Sequence, residues 1–366
     1  MTSTAGKARW PRAMQLEVLD RLEPLREEWR SLAEAAGNVF TTWEWCSLWW
    51  GHHGGDRPLL LLACRRPSGE LAALWPLYAA ARRPVAIARL LGHGVAPLNG
   101  PVCAPADRSE AWRALGQALR DGMLGVDTVL ADFVVPGDAA SGARRIRREA
   151  SPVLDLRGLT WDDFLAGRSP KLRAEVRRRE RKLRDAHAID FRLATDPDRL
   201  DQDFETVAEL HDARWEGRSE VFAGAEREFH REFARAALDR GWLRLWLLEV
   251  EGRAVAGWYG FRFGDAEWFR QTGRDPDWEK WGVGFVLLTH TIREAIADGV
   301  GTYHFLRGDQ SYKRRLASGD QPVECLALGR GLRGRAMARL AGRLVDPWGR
   351  RSLRAVVRGG SADGMA

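Results

Sequence analysis

Residues 241–313 constrain the fold more than any other stretch. Two compact apolar runs, GWLRLWLLEV and AVAGWYGFRF, flank Glu251-Gly252-Arg253, a short glycine-containing break that turns a strand back on itself. The turn signal Gly264-Asp265 and the aromatic-rich AEWFRQTGR follow, so three antiparallel strands are the economical reading. Asp275-Pro276 disfavours helix at the residue before proline. Then comes EKWGVGFVLLTHTIREAIADGV, with Val286, Leu287, Ile292, Ala295 and Ile296 at helical spacing and Gly299 as its stop. TYHFLRG reads as a further strand, DQSYKRRLA as a short helix and VECLALG as a final strand.

This order puts Gly282 and Gly284 at a helix N-terminus. The first backbone N–H groups of a helix have no partner within it, the dipole favours negative charge, and glycines remove side chains that would block close approach. A pyrophosphate fits such a place, and so does a plain tight turn against the preceding strand, since a lone G-x-G carries little weight. Lys280, Trp281, Gly282, Val283 and Gly284 form the candidate cofactor-binding turn.

With strands, glycine turn, helix and strand in this order, the sequence resembles the GNAT acyltransferase superfamily. More narrowly it is similar to the two-domain branch that includes the CelD-like acetyltransferases and the Fem-type aminoacyl transferases. The resemblance is carried by LHDARW (210–215), Gly257 with Trp258, QTGRDPDW (271–278), WGVGFVLL (281–288) and FLRGDQSYK (305–313). It spans roughly residues 170–328 and implies acetyl-CoA or another acyl-CoA as co-substrate, with no metal. The general GNAT loop begins with Gln or Arg three residues before its first glycine, whereas this chain has Glu279 there, with Lys280 beside it to supply positive charge.

At 366 residues the chain exceeds one ordinary core and suits two domains. Its 45% hydrophobic and 29% charged residues exclude a disordered chain. The N-terminal segment lacks a signal-peptide apolar region, and no stretch reaches the ~20 apolar residues of a spanning helix, so a cytoplasmic, at most membrane-peripheral, protein is expected. Cys46, Cys64, Cys103 and Cys325 are scattered without a C-x-x-C pair, which argues for buried apolar residues over a zinc site or a disulfide framework.

The first half reads as a strand (15–20), a helix ending at Gly37, a tryptophan-rich helix capped by Thr42, a hairpin (58–80) and a third strand running into the loop GHGVAPLNGP. Trp45 and Trp49 share a helical face with Leu48; a binding groove competes there with ordinary core. A further helix and strands at 126–135 and 151–156 complete an order that parallels the second half, without a G-x-G turn. The expected architecture is therefore mixed α/β, two tandem GNAT-like domains, each a mixed, mainly antiparallel sheet flanked by helices. Residues 1–157 form the first, degenerate in its cofactor motif; residues 158–329 the acyltransferase domain; residues 330–366 an Arg-rich tail, in which nine arginines between 330 and 358 stand against Asp346. That tail is either a helix packed on the body or a weak contact for an anionic membrane surface. The stretch KLRAEVRRRERKLR (171–184) forms a basic helix with Leu172, Val176 and Leu183 as its apolar line, either a solvated face or a contact for an anionic ligand.

Acyl transfer to an amine needs a held thioester, a donor on its carbonyl, removal of the amine proton and protonation of the departing thiolate. No G-x-S-x-G elbow is present, so a hydrolase is unsupported. Asp309 can accept an amine proton or cap a turn, Tyr312 can protonate the thiolate, and Lys313 can hold an anionic group; these are the candidate catalytic residues. The substrate side is assigned to His93, Asn99, Arg214, Trp215, Trp258, Arg270 and His304, with the loop 219–224 facing the cleft as the resemblance implies. The leading expectation is an acyl-CoA-dependent N-acyltransferase acting on an amine of a sugar, amino acid or small metabolite. The alternatives are a Fem-like transferase using aminoacyl-tRNA and a non-catalytic GNAT-fold protein that binds an anionic partner.

Overall fold

The computed structural model describes residues 14–135 and 142–344. The first half runs β1 (Gln15–Leu19), α1 (Arg26–Ala36), α2 (Trp43–His53), β2 (Leu59–Arg65), β3 (Leu71–Ala81), β4 (Ile87–Leu90), α3 (Arg108–Arg120), β5 (Thr128–Val134), β6 (Arg144–Glu149) and β7 (Pro152–Asp155). The second runs α4 (Trp161–Ala166), α5 (Pro170–Ala186), β8 (Ile189–Leu193), α6 (Leu200–Trp215), α7 (Ala225–Asp239), β9 (Leu243–Val250), β10 (Arg253–Phe263), β11 (Ala266–Arg274), α8 (Val283–Ala297) and β12 (Thr302–His304). It closes with α9 (Ser311–Leu316), β13 (Gly319–Asp320), β14 (Val323–Gly329) and α10 (Gly331–Leu344).

Local chemistry sets several of these boundaries. The Thr42 side chain accepts from Trp45 N at 3.3 Å and starts α2. Thr160 and Asp163 form a reciprocal capping box on α4. Ser169 caps α5, with Pro170 in its first turn. Gly37 ends α1 in the left-handed conformation. The arginine-rich segment 144–149 is held as a strand by its pairing along β14.

Two seven-stranded sheets result, in the orders β1-β2-β3-β4-β5-β14-β6 and β13-β7-β12-β11-β10-β9-β8. The halves exchange strands. β14, late in the chain, lies antiparallel to β5 in the first sheet, and β7 lies antiparallel to β12 in the second. A cut at residue 157 would therefore leave each sheet without an inner strand. The tryptophan run of α2 joins the halves: Trp45 lies edge-on to Phe229 and Phe233 of α7, 4.9 and 4.7 Å away, inside one core cluster that includes residues of both halves. The rings of Trp45 and Trp49 pack as core, while the Trp45 indole N–H meets no acceptor among the described residues. All four cysteines are free and buried. The described part of the arginine-rich tail is α10, which packs Ala338 and Ala341 against Leu130 and Ala327; Trp348 and the arginines from 350 onward lie outside the described residues. No helix among the described residues is long and apolar enough to cross a membrane.

Candidate active site

The parallel pair β11–β12 holds together only at Ala266↔Thr302, Glu267↔Tyr303 and Trp268↔His304. Beyond it the strands part. β11 continues beside β10 to Arg274, while Phe305 N and Gly308 N bond to the carbonyls of Pro152 and Ala150, at 3.0 and 3.1 Å. The bend passes through Leu306 at φ 58°, an uncommon conformation for a side chain of this size. The first half repeats the arrangement at β4–β5, but there Asn99 pairs back onto Phe133 and Val134, so the loop 91–99 fills the gap. Among the described residues no such bridge pairs back across the parting of β11 and β12.

α8 begins beside this split. Gly282 occupies the left-handed region at φ 67°, and no side chain caps the helix. A side chain at Gly282 would collide with the guanidinium of Arg179, which lies directly over the turn from α5. At Gly284 an added Cβ would meet only Arg274 Cδ, at 3.6 Å. Arg179 Nε donates to Glu175 Oε1 at 2.9 Å, and Glu175 also pairs with Arg315 of α9, which ties α5, the turn and α9 together. Beside the turn, Arg178, Arg181, Lys182 and Trp281 line an open groove of about 440 Å³ with Asp185 and Ala186. A second opening of about 500 Å³ lies under α6, where Arg192 pairs with Asp203 and Glu249, and Arg253 with Asp275.

On the other side of the split, Gly257 and Gly273 let α6 lie directly on the sheet; a Cβ on Gly257 would stand 2.7 Å from Val207 Cγ2. This brings His211 and Arg214 over Thr272. The Thr272 carbonyl can only accept, so His211 Nδ1 carries the proton toward it (3.2 Å) and Nε2 accepts from the Ser219 hydroxyl (2.8 Å). Burial lowers the His211 pKa to about 4, which keeps the ring neutral. β11 bulges where Tyr259 faces Gln271 and Gly260 faces Phe269, leaving Arg270 as the extra residue. Its guanidinium is thereby aimed at the first half, onto the Val95 carbonyl at 3.2 Å.

Lys313 is the buried cation at the end of the split. Its ammonium donates to the carbonyls of Arg307 (2.8 Å) and Leu306 (3.4 Å) and has no carboxylate partner among the described residues. Burial, then Arg307 and Arg214, pull its pKa down to about 7. The neighbouring Tyr312 is pushed up to about 12 by burial and keeps its proton.

Residues 170–314 match the family model described as an acetyltransferase (GNAT) domain. The chain carries a GNAT acetyltransferase domain. Its class is that of the acyltransferases. Among solved structures, the fold superposes on FemX with a TM-score of 0.63 at 11% identity, over 90% of this chain and 100% of that one. It superposes on L-PGS from Bacillus licheniformis with a TM-score of 0.56 at 16% identity, over 89% and 97%. At these identities the likeness is one of fold. No curated protein matches the chain.

Within the GNAT domain the expected site residues divide. Gly282, Val283 and Gly284 form the start of α8, Tyr312 and Lys313 lie buried in α9, and Arg214 and Arg270 belong to α6 and β11. Trp215 is half-buried beside Arg214, whose guanidinium lies 5.2 Å from its ring. Trp281 packs edge-on to His187, 4.8 Å away. Lys280 is exposed against Trp281, so the cation over the glycine turn is Arg179 and not Lys280. Asp309 is exposed and paired with Arg314, away from the split. Trp258 is wholly buried, stacked on Phe269, and His304 stacks flat on Trp268 at 4.0 Å, so both pack the interior. His93 links Arg89 to Tyr78, with its pKa lowered to about 3 by burial and then by Arg89; it and Asn99 shape the first-half loop.

Sequence reasoning missed Arg179, Arg274 and the His211–Ser219 pair. Arg179 had a signal: it continues the inward line of Leu172, Val176 and Leu183 at helical spacing, so an arginine there cannot be simply solvated. The His211–Ser219 pair joins α6 to a loop eight residues on, which no periodicity reports.

Proposed function

We propose that this acyltransferase moves an acyl group from a coenzyme A thioester to an amine of an amino acid, sugar or small metabolite. The observation that carries the reading is the uncapped start of α8, free of side chains at Gly282 and Gly284 and overlain by Arg179, beside a sheet whose strands part. The glycine cradle fits a diphosphate: the first N–H groups of the helix have no partner within it, one guanidinium faces them, and a Cβ at Gly282 would displace that guanidinium. Arg178, Arg181 and Lys182 offer the adjoining groove to the nucleotide end of the donor. Such a donor supplies an activated acyl carbon.

The chain's own residues supply the rest. The parted strands hold the acyl arm beside the acceptor, which replaces a bimolecular encounter by a positioned one. Lys313, uncharged above about pH 7, takes the proton that the amine loses as the C–N bond forms. Tyr312 retains its proton and donates it toward the sulfur as the C–S bond breaks. Asp309 has no part in this reading.

A second reading is favoured by the basic face of α5 and by the fold shared with FemX: the donor is an aminoacyl-tRNA, whose phosphates meet Arg178, Arg181 and Lys182. The two are separated by a thiol-release screen of acetyl-CoA and longer acyl-CoAs over an amine panel, run beside a tRNA mobility shift. Amine-dependent thiol release is expected. A tRNA shift with a steep salt slope and no thiol release would replace the first reading by the second.

A further inference from the structure

Buried donors without acceptors gather where the two halves meet above β11. The guanidinium of Arg270 can only donate, so its contact with His230 Nε2 (3.4 Å) places the imidazole proton on Nδ1. That Nδ1 is wholly buried and meets no acceptor among the described residues, and neither does Arg270 Nε. The Trp45 ring lies 5.8 Å from that of His230, and its indole N–H is also unpartnered. Across Gly92 the Asn99 amide nitrogen is unpartnered too; a Cβ on Gly92 would stand 3.2 Å from Trp45 Nε1 and 3.0 Å from Asn99 Oδ1. His230 and Trp45 are 0% exposed and Asn99 4%, while Arg270 stays partly open.

The imbalance is one of sign. Arg270 makes no ion pair among the described residues, and the Glu226 carboxyl on α7 turns to His53, 3.7 Å away. A guanidinium at the meeting of the two halves with no hydrogen-bonded carboxylate, its charge offset only at longer range by Glu226, is costly, and each orphaned N–H costs about 1–3 kcal/mol. One guanidinium among neutral N–H donors matches a single, delocalised negative charge better than a phosphate dianion, which calls for more than one cation.

We infer that Arg270, with Trp45 and Asn99, binds a carboxylate of the acceptor, so that the amine is acylated on a molecule that also carries a free acid group, as in amino acids. This rests on the acyltransferase reading for its purpose but not for its binding chemistry. A site built around hydrogen bonds to an acid discriminates strongly against an analogue that cannot complete them.

The test is binding to the full chain without any donor, by ligand-observed NMR and calorimetry. Glycine, L-alanine, L-lysine and L-glutamate are paired with their α-carboxamides. At least one acid is expected to bind about tenfold or more tighter than its amide, and Arg270→Met to reduce that preference below about twofold. Acid and amide bound alike, an undiminished preference in Arg270→Met, or no acid bound at 10 mM-scale concentrations (roughly, the weak end of small-ligand affinity) overturns the inference. The wild-type comparison stands even where a variant fails to fold. Amino-acid binding without acyl-CoA turnover would sink the transfer reading and leave the carboxylate site intact.

Discussion

Glu279 Oε1 lies 2.5 Å from Arg274 Nη2, at the mouth of the split in the second sheet. The carboxylate at the sequence position where a GNAT loop carries Gln or Arg is thus neutralised by a strand residue. Arg274 also borders Gly284, so the pair sits where a diphosphate would arrive. Replacing Glu279 by Gln removes a negative charge from that entrance and is expected to tighten acyl-CoA binding about fivefold, roughly 1 kcal/mol. Weaker binding in the titration would show that Glu279 does not face the donor.

Arg179 gives a complementary expectation. Arg179→Gln should weaken acyl-CoA binding about 10- to 100-fold and flatten its salt dependence, because a charge-assisted contact is lost. Arg179→Lys should recover only part of the affinity, since an ammonium cannot reproduce the planar fork over Gly282. Equal affinities in wild type and Arg179→Gln would move the diphosphate elsewhere.

How much of this was legible in the sequence follows from the same residues. The strand–turn–helix–strand order around Gly282 was readable, because period-two apolar runs, a glycine turn and a helical stripe are local signals. The strand exchange was not: VECLALG reads as a strand wherever it pairs, and nothing local reports that β14 joins the first sheet. Trp258 and His304 looked functional by type, yet tertiary packing turned both inward. Tyr312 and Lys313 stand out in the sequence because the string that holds them is itself a motif. The pairing that changes the meaning of Glu279 was not, since it depends on a side chain five residues back across a turn.

Lys313 fixes a pH dependence. Its folded pKa of about 7 lies below the ordinary 10.5, so between these values the unfolded chain holds the extra proton. Stability from this group is full above about pH 10.5 and is lost as pH falls toward 7. Lys313→Met should therefore stabilise the protein at pH 6 by a few kcal/mol, with a smaller difference at pH 10. It should also lower kcat about 10²- to 10⁴-fold. A wild-type rate profile with an acid limb near pH 7 supports the assignment; a flat profile from pH 6 to 8 contradicts it.

Glu267 behaves in the opposite sense. Burial raises its pKa to about 8, with Arg244 and Arg262 opposing, so the folded state holds the proton that the unfolded chain releases near pH 4.5. Its contribution is full below that lower value and is lost as pH rises to about 8. Glu267→Gln is expected to raise stability by about 1–3 kcal/mol at pH 8 and to change little at pH 4. Denaturant melts at the two pH values check it.

The account turns on whether the open start of α8 holds the donor, and calorimetric titration of acetyl-CoA into wild type and Gly284→Leu measures that directly. Gly284 has room for a Cβ and no left-handed backbone, so the variant should fold, while its side chain fills the cradle. Binding by wild type and a loss of more than about tenfold in Gly284→Leu, deepened in Gly282→Leu/Gly284→Leu, is the predicted result. Undisturbed acetyl-CoA binding in the double variant would contradict it.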